Sequence, residues 1–183
     1  NDPHVTDENP IPSAIGQGSH SYTNTQMNRY AVTLATRGNV LDLNLISHVD
    51  SPSGERLETY GTEIINQLDY SETSWDVVWE GMRNVITGGA YNVLFADLPV
   101  TVAGKTGTAE ESLVRAPHAN FICFAPYENP EIAVSVSIPY GYTAANAVQV
   151  AKATLEYHYG VTTLEDIVGS SASGGNMVDE NEE

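Results

Sequence analysis

The residues best suited to binding or catalysis in this sequence are four neighbours, Lys105-Thr106-Gly107-Thr108. Lys105 is one of only two lysines in the chain, and its ammonium group is a point charge suited to a carboxylate. The hydroxyls of Thr106 and Thr108 can donate to the same group. Gly107 lets another molecule approach the backbone closely, and the backbone N–H of Thr108 can face a developing oxyanion. The pattern therefore indicates an anion-binding strand edge.

Two other interpretations of these residues stay open on the sequence alone. Gly104-Lys105-Thr106 matches the end of a Walker A phosphate loop. That motif also needs a glycine five positions earlier, where this chain has Pro99, and a helix after the threonine. The residues are equally compatible with a glycine-rich turn that carries a solvated lysine.

Strands are predicted on both sides of this motif. The apolar residues 98–103 predict a short strand, so that the motif lies on a strand or at its end. Residues 119–125 and 132–138 predict two more strands, joined by a hairpin connection. In the last strand, Ile and Val side chains alternate with small Ala and Ser side chains. We expect the small-residue face to receive the last helix of the chain.

Three helices are predicted from spacing and capping residues. The first follows the capping box Thr23-Asn24-Thr25-Gln26 and ends at Gly38. The second covers 74–87 and the third covers 143–159, and each ends at a glycine. Residues 91–94 are expected to form a linker or short strand, residues 41–49 an extended segment, and residues 50–62 a turn. This order of elements predicts an α+β fold, an antiparallel sheet with helices packed on its faces.

Composition narrows the function classes. Seven basic and 24 acidic residues give a net charge of −17, which argues against nucleic acid or an anionic membrane surface as a partner. The five histidines and the single cysteine, Cys123, show no metal-ligand spacing. We expect His118 to lie near the mouth of the site in a packing or surface role. Residues 1–168 are predicted to form one domain segment and 169–183 a disordered acidic tail.

The motif and its neighbours resemble the transpeptidase domain of class B penicillin-binding proteins, in the serine DD-peptidase and β-lactamase-like superfamily. Lys105-Thr106-Gly107-Thr108 is similar to the third motif of that superfamily. The resemblance covers roughly residues 11–160 and follows the family's order. The other segments that carry it are Ala14-Ile15-Gly16-Gln17-Gly18, Tyr22-Thr23-Asn24-Thr25-Gln26, Gly81-Met82-Arg83, residues 121–127 and residues 130–134.

The resemblance implies a role for each matching residue. Lys105, Thr106, Gly107 and Thr108 would bind the carboxylate of a substrate or β-lactam, the N–H of Thr108 would form half of an oxyanion hole, and Gln17 would approach the cleft. The intact enzyme would cross-link peptidoglycan stem peptides through a serine acyl-enzyme, without a metal or organic cofactor. It would act outside the cytoplasmic membrane, with its anchor upstream of this chain.

The sequence departs from the family's pattern in two respects: it lacks the Ser-x-x-Lys motif, whose serine is the nucleophile in that family, and it lacks the second motif, Ser-x-Asn. Ser-x-x-Lys is absent, because Val102 and Gln149 stand three residues before the two lysines, and no Ser-x-Asn occurs. We therefore expect this chain to be the C-terminal part of a transpeptidase domain, inactive alone. We also expect it to fold poorly in isolation, with an apolar sheet face uncovered. The alternative is a non-catalytic sensor module of the same fold that binds muropeptides or β-lactams.

Overall fold

The computed structural model describes residues 21–89, 91–109 and 114–173. Within these ranges, a three-stranded antiparallel sheet lies between helices on its two faces, which confirms the predicted α+β class. The helices and strands are α1 Asn24–Ala35, β1 Asn39–Leu41, β2 His48–Asp50, β3 Arg56–Thr59, β4 Ile64–Gln67, α2 Glu72–Thr87, α3 Tyr91–Leu94, β5 Ala103–Ala109, β6 His118–Ala125, β7 Ile132–Ile138, α4 Ala144–His158 and α5 Leu164–Ser173.

The central strand of the sheet, β6, divides the hydrophobic core into two clusters. Its neighbours are β5 and β7, and both pair with it in the antiparallel sense. Phe121 and Cys123 point to one face, where they pack with residues of α4 such as Val148 and Leu155. Phe124 points to the other face, where residues of α1 and α2 cover it. The alternation of a strand thus lets one segment build both clusters.

Helix ends follow the capping signals of the sequence. Thr23 and Gln26 form the predicted capping box at the start of α1, with the Gln26 N–H donating to Thr23 Oγ1 at 3.2 Å. Thr143 caps α4 as predicted. Gly38 follows α1 with a φ of +108°, which L side chains rarely adopt. A Cβ at that position would also lie 2.6 Å from the Leu68 carbonyl oxygen, so the turn requires glycine.

Helices α1 and α2 are joined by polar contacts as well as by the core. The indole N–H of Trp79 donates to the Leu34 carbonyl at 2.8 Å. The Arg37 guanidinium lies 4.4 Å from the Trp79 ring centroid and donates to Glu72 and Asp76. Cation–π and charge-assisted contacts of this kind fix the orientation of the tryptophan. The two helices therefore form one layer on the β5–β7 sheet.

The expectation that the last helix covers the small-residue face of β7 was wrong. The Ile and Val side chains of β7, represented by Val134 and Val136, pack with α4. The small face lies against α1, where Ser135 Oγ donates to the side-chain oxygen of Asn24 at 2.7 Å and the Asn24 amide donates to the Ser135 carbonyl at 3.0 Å. The first helix covers this face because Asn24 at its start forms hydrogen bonds with Ser135. The pairing is long-range, so the spacing of residues along the chain does not reveal it.

The strand predicted at 98–103 was also wrong, because β5 begins only at Ala103. Leu98 and Val102 are buried in the core as part of an irregular segment. Pro99 has no N–H to donate to a ladder. An apolar run of this length indicates that its residues are buried, but it does not show that they form a strand. Residues 91–94, expected as linker or strand, form the short helix α3.

Residues 39–67 form a β-arm in which β1 pairs with β4 and β2 pairs with β3. The sequence predicted extended backbone in part of this region, but it predicted neither of the pairings. Strands β2, β3 and β4 are exposed along their whole length. The sequences of these strands do not alternate in a way that marks a buried face. They therefore gave no basis for predicting which strands pair.

The expected uncovered apolar face is not found on the β5–β7 sheet, because helices cover both of its faces. Exposed apolar residues lie instead on the β-arm, among them Leu45, Leu57 and Ile64. Helix α5 occupies the first five residues of the range predicted as a disordered tail, and residues 174–183 lie outside the described ranges. In the described part of the chain, every helix is too short or too polar to cross a membrane.

Cys123 gives a direct test of the core. Its thiol is fully buried, and this burial raises its pKa to about 12. Since the thiolate is the reactive form, at pH 8 the folded protein holds roughly 10³-fold less thiolate than an unfolded chain. We expect a thiol-labelling reagent to modify the chain quickly in denaturant and very slowly in buffer. Equal labelling rates in the two conditions would contradict the position of β6 in the core.

Candidate functional site

Strand β5 lies at one edge of the sheet and carries the whole predicted motif. It pairs with β6 on one side, and on its other side no strand pairs with it among the described residues. An edge strand presents unpaired backbone N–H and C=O groups, which can pair with another extended chain. The motif therefore lies on an open strand edge, which is one of the three interpretations of the sequence, and in neither a helix-capped phosphate loop nor a turn.

The pleat of β5 distributes the motif over both faces of the sheet. Lys105 lies opposite Ile122 in the register, so its side chain leaves on the face covered by α1 and α2. Thr106 and Thr108 leave on the opposite face. Lys105 is exposed, and its Nζ donates to the Thr106 carbonyl at 2.7 Å. A ligand along this edge can meet the ammonium group, the backbone and a hydroxyl from different sides.

The two glycines of the motif have different surroundings. A Cβ on Gly104 would lie 2.5 Å from the Phe121 ring and 2.9 Å from the Ile122 carbonyl oxygen, so packing excludes a side chain there. A Cβ on Gly107 would meet only the Cβ of Asn120, at an ordinary 3.5 Å. The φ of Gly107 is not in the left-handed region either. Nothing inside the described residues requires glycine at 107.

A set of contacts holds the segment that leads into β5. Arg83, from α2, donates to the Val102 carbonyl at 2.8 Å, one residue before the strand. The Tyr127 N–H donates to the Thr101 carbonyl at 2.9 Å. The Thr101 hydroxyl donates to the Glu128 carboxylate, and this bond is the main reason why the pKa of Glu128 lies below its usual range. These contacts fix the start of β5 to α2 and to the β6–β7 connection.

An aromatic and cationic cluster lies at the other end of β5. His118 is the β6 partner of Ala109, and its Nδ1 accepts from the Tyr140 N–H at 3.3 Å. Arg115 donates to the Tyr140 hydroxyl at 2.7 Å. Tyr140 and Tyr142 have φ values of +54° and +66°, a strained conformation for residues with side chains. Local strain of this kind is concentrated at functional sites in proteins.

The structure describes four of the five residues that the sequence predicts to bind the substrate. The structure brings Lys105, Thr106, Gly107 and Thr108 together on β5 and places His118 at the end of that strand. Gln17 lies outside the described residues, so its position stays a prediction. The sequence did not predict the cluster that Arg115, Tyr140 and Tyr142 form next to His118. Their only local signal was the Tyr-Gly-Tyr turn after a strand, and a turn alone does not reveal that it folds back towards β6.

Comparison with known proteins shows to which family this chain belongs. The family model described as the penicillin binding protein transpeptidase domain matches residues 5–156. The chain belongs to this family. Among curated relatives of this transpeptidase domain, penicillin-binding protein 2A of Bacillus subtilis is 25% identical over 190 residues, with 93% of this chain and 26% of that protein covered. The peptidoglycan D,D-transpeptidase MrdA of Haemophilus influenzae is 28% identical over 167 residues, with 81% and 25% covered.

Solved structures give the same assignment for this transpeptidase domain. Penicillin-binding protein A of Mycobacterium tuberculosis, as an imipenem acyl-enzyme complex, superposes with a TM-score of 0.71 at 27% identity, covering 81% of this chain and 35% of that chain. Penicillin-binding protein 2B of Streptococcus pneumoniae shares the fold with a TM-score of 0.72 at 24% identity, covering 87% and 28%. The chain spans about a quarter of the length of the curated relatives that it matches.

The different surroundings of Gly104 and Gly107 predict different effects of one added methyl group on stability. Gly104→Ala should destabilise the fold by about 1–3 kcal/mol, because the Cβ overpacks against Phe121 and backbone. Gly107→Ala should change the free energy of unfolding by less than about 0.5 kcal/mol. Urea denaturation of the two variants measures the difference. Equal destabilisation by both would show that Gly107 has a packing role.

Proposed function

We propose that this chain supplies one wall of the active site of a peptidoglycan D,D-transpeptidase. The observation that carries the proposal is the open edge of β5, where exposed Lys105 and sterically unconstrained Gly107 are two residues apart. Lys105 would bind the terminal carboxylate of a stem peptide from one side of the strand edge, and the Thr106 and Thr108 hydroxyls would donate to it from the other side. An extended peptide would lie along the unpaired edge of the strand.

The acyl transfer needs a serine from outside these 183 residues, since the chain has no Ser-x-x-Lys or Ser-x-Asn. That serine oxygen would attack the D-Ala-D-Ala carbonyl, form an ester and release the terminal D-alanine as the leaving amine. The amine of a second stem peptide would then attack the ester, form the cross-link and return the serine hydroxyl. The Thr108 N–H would donate to the oxyanion in each tetrahedral intermediate.

Binding of β-lactams is part of the proposal. The similar penicillin-binding protein A of M. tuberculosis is described as an imipenem acyl-enzyme, so a β-lactam acylates that relative. In this protein the β-lactam carboxylate would take the place of the stem-peptide carboxylate at Lys105. The site of action would be the outer face of the cytoplasmic membrane, where peptidoglycan is assembled.

Fluorescent penicillin tests where the nucleophile lies. The full-length polypeptide that contains these residues should form a covalent adduct that survives denaturing electrophoresis, and the isolated 183-residue chain should form none. An adduct on the isolated chain would contradict the missing nucleophile. Reversible binding to the full-length polypeptide without an adduct would favour the sensor module instead. Only the enzyme requires Ser-x-x-Lys and Ser-x-Asn upstream of these residues.

The two lysines of the chain form a matched pair for testing the carboxylate site. Lys105→Ala in the full-length protein should slow acylation by penicillin about 10- to 100-fold, because a hydrogen bond to a charged group contributes about 1.5–3 kcal/mol. Lys152→Ala should leave the rate unchanged, since Lys152 lies on α4 and pairs with Glu156. Stopped-flow or gel-based acylation rates, with melting temperatures for both variants, give the comparison. Equal acylation rates for Lys105→Ala and the unsubstituted protein would contradict the proposal that Lys105 binds the carboxylate.

A further inference from the structure

Strand β5 is held by a backbone ladder on one side only. The ladder joins it to β6, and among the described residues no strand pairs with its other edge. The preceding residues, 98–102, form no strand that would extend this ladder, and Pro99 lacks the N–H that a ladder uses. The position of the edge on which a substrate would lie therefore depends on what holds the start of β5.

Packing leaves the segment before β5 room to move. The Val102 side chain is buried in the core. On another side, Leu98, Pro99 and Thr101 border an open cavity of about 260 Å³ that helices α2 and α3 also line. Residues beside such a space lack the contacts that fix a close-packed interior. A directional polar contact at this point adds a restraint that packing does not supply.

Arg83 makes that contact from the middle of α2. Its guanidinium donates to the Val102 carbonyl at 2.8 Å, one residue before the ladder begins. The same guanidinium lies 5.8 Å from the centroid of the Tyr127 ring, in the β6–β7 connection. A charged donor makes a stronger hydrogen bond than a neutral one. Arg83 thus joins α2, the start of β5 and the β6–β7 connection at one point.

We propose that Arg83 is a positioning residue that places Lys105 and Thr108 for acyl transfer. It acts through the Val102 carbonyl, which lies three residues before Lys105, about 10 Å along an extended strand. Movement at Val102 shifts the edge of β5 relative to a serine outside this chain. A misplacement of about 1 Å at a reacting centre can slow an enzyme about 100-fold. This inference rests on the proposed function, but the restraint on β5 can be measured independently of it.

Four variants of the full-length polypeptide separate positioning from general stability. Arg83→Met and the milder Arg83→Gln remove the charged donor, and Arg83→Lys keeps one. Arg37→Met is the matched control, because Arg37 also lies over an aromatic ring and donates to charged groups, Glu72 and Asp76. Those contacts hold the end of α1 on α2 and not the start of β5.

Penicillin acylation kinetics, measured well below the melting temperature of each variant, give the first readout. Arg83→Met and Arg83→Gln should lower the first-order acylation rate constant about tenfold or more. The dissociation constant of the preceding complex should change less than about threefold, because the long Lys105 side chain can follow the carboxylate whereas the Thr108 N–H cannot. Arg83→Lys should recover most of the rate, and Arg37→Met should keep it. Unchanged rate constants in both uncharged variants, or an equal loss in Arg37→Met, would overturn the proposal.

Hydrogen exchange in the unliganded full-length protein gives a readout that needs no catalysis. Arg83→Met and Arg83→Gln should speed the exchange of β5 amides about tenfold or more, and should leave β7 amides, on the far side of β6, within about threefold. Arg37→Met should leave β5 unchanged. If the unsubstituted protein forms no penicillin adduct, the transpeptidase proposal fails, and exchange alone decides whether Arg83 restrains β5. Unchanged β5 exchange in both uncharged variants would overturn that restraint.

Discussion

Strand β6 has no solvent-facing side between Phe121 and Ala125, because it lies between two strands in the plane of the sheet and between helices above and below. Every side chain in this stretch is buried, and alternate residues enter opposite clusters of the core. Strands β5 and β7 take their positions from pairing with it. A single strand thus fixes both layers of helices relative to the sheet.

The position of the site follows from this arrangement. The Phe121 ring occupies the space that a side chain at Gly104 would need, so β5 lies close against the centre of the sheet at its start. Further along, at Gly107, the backbone has room on its surface. Arg83 anchors the residue before the strand. The edge strand is therefore held in place where it meets the core and accessible at Gly107, where we propose that a substrate binds.

The described elements differ in how far their apolar residues are covered. The β5–β7 sheet is shared with the family and packed on both faces by helices. The β-arm and α5 carry exposed apolar residues, represented by Leu57 and Leu164. Contiguous exposed apolar surface commonly marks interaction sites.

The sequence by itself determined the local features of this protein: the capped helices α1 and α4, the strand Ile132–Ile138, and the Lys-Thr-Gly-Thr motif at a strand edge. Spacing and caps act within a few residues, so they can be read from the chain. The tertiary structure alone decided that α1 covers the small face of β7, that residues 98–102 are buried without being a strand, and that Tyr140 folds back towards His118. These outcomes depend on contacts such as His118–Tyr140 and Asn24–Ser135, which join residues 22 and 111 positions apart. No local pattern encodes which distant side chain will fill a given space.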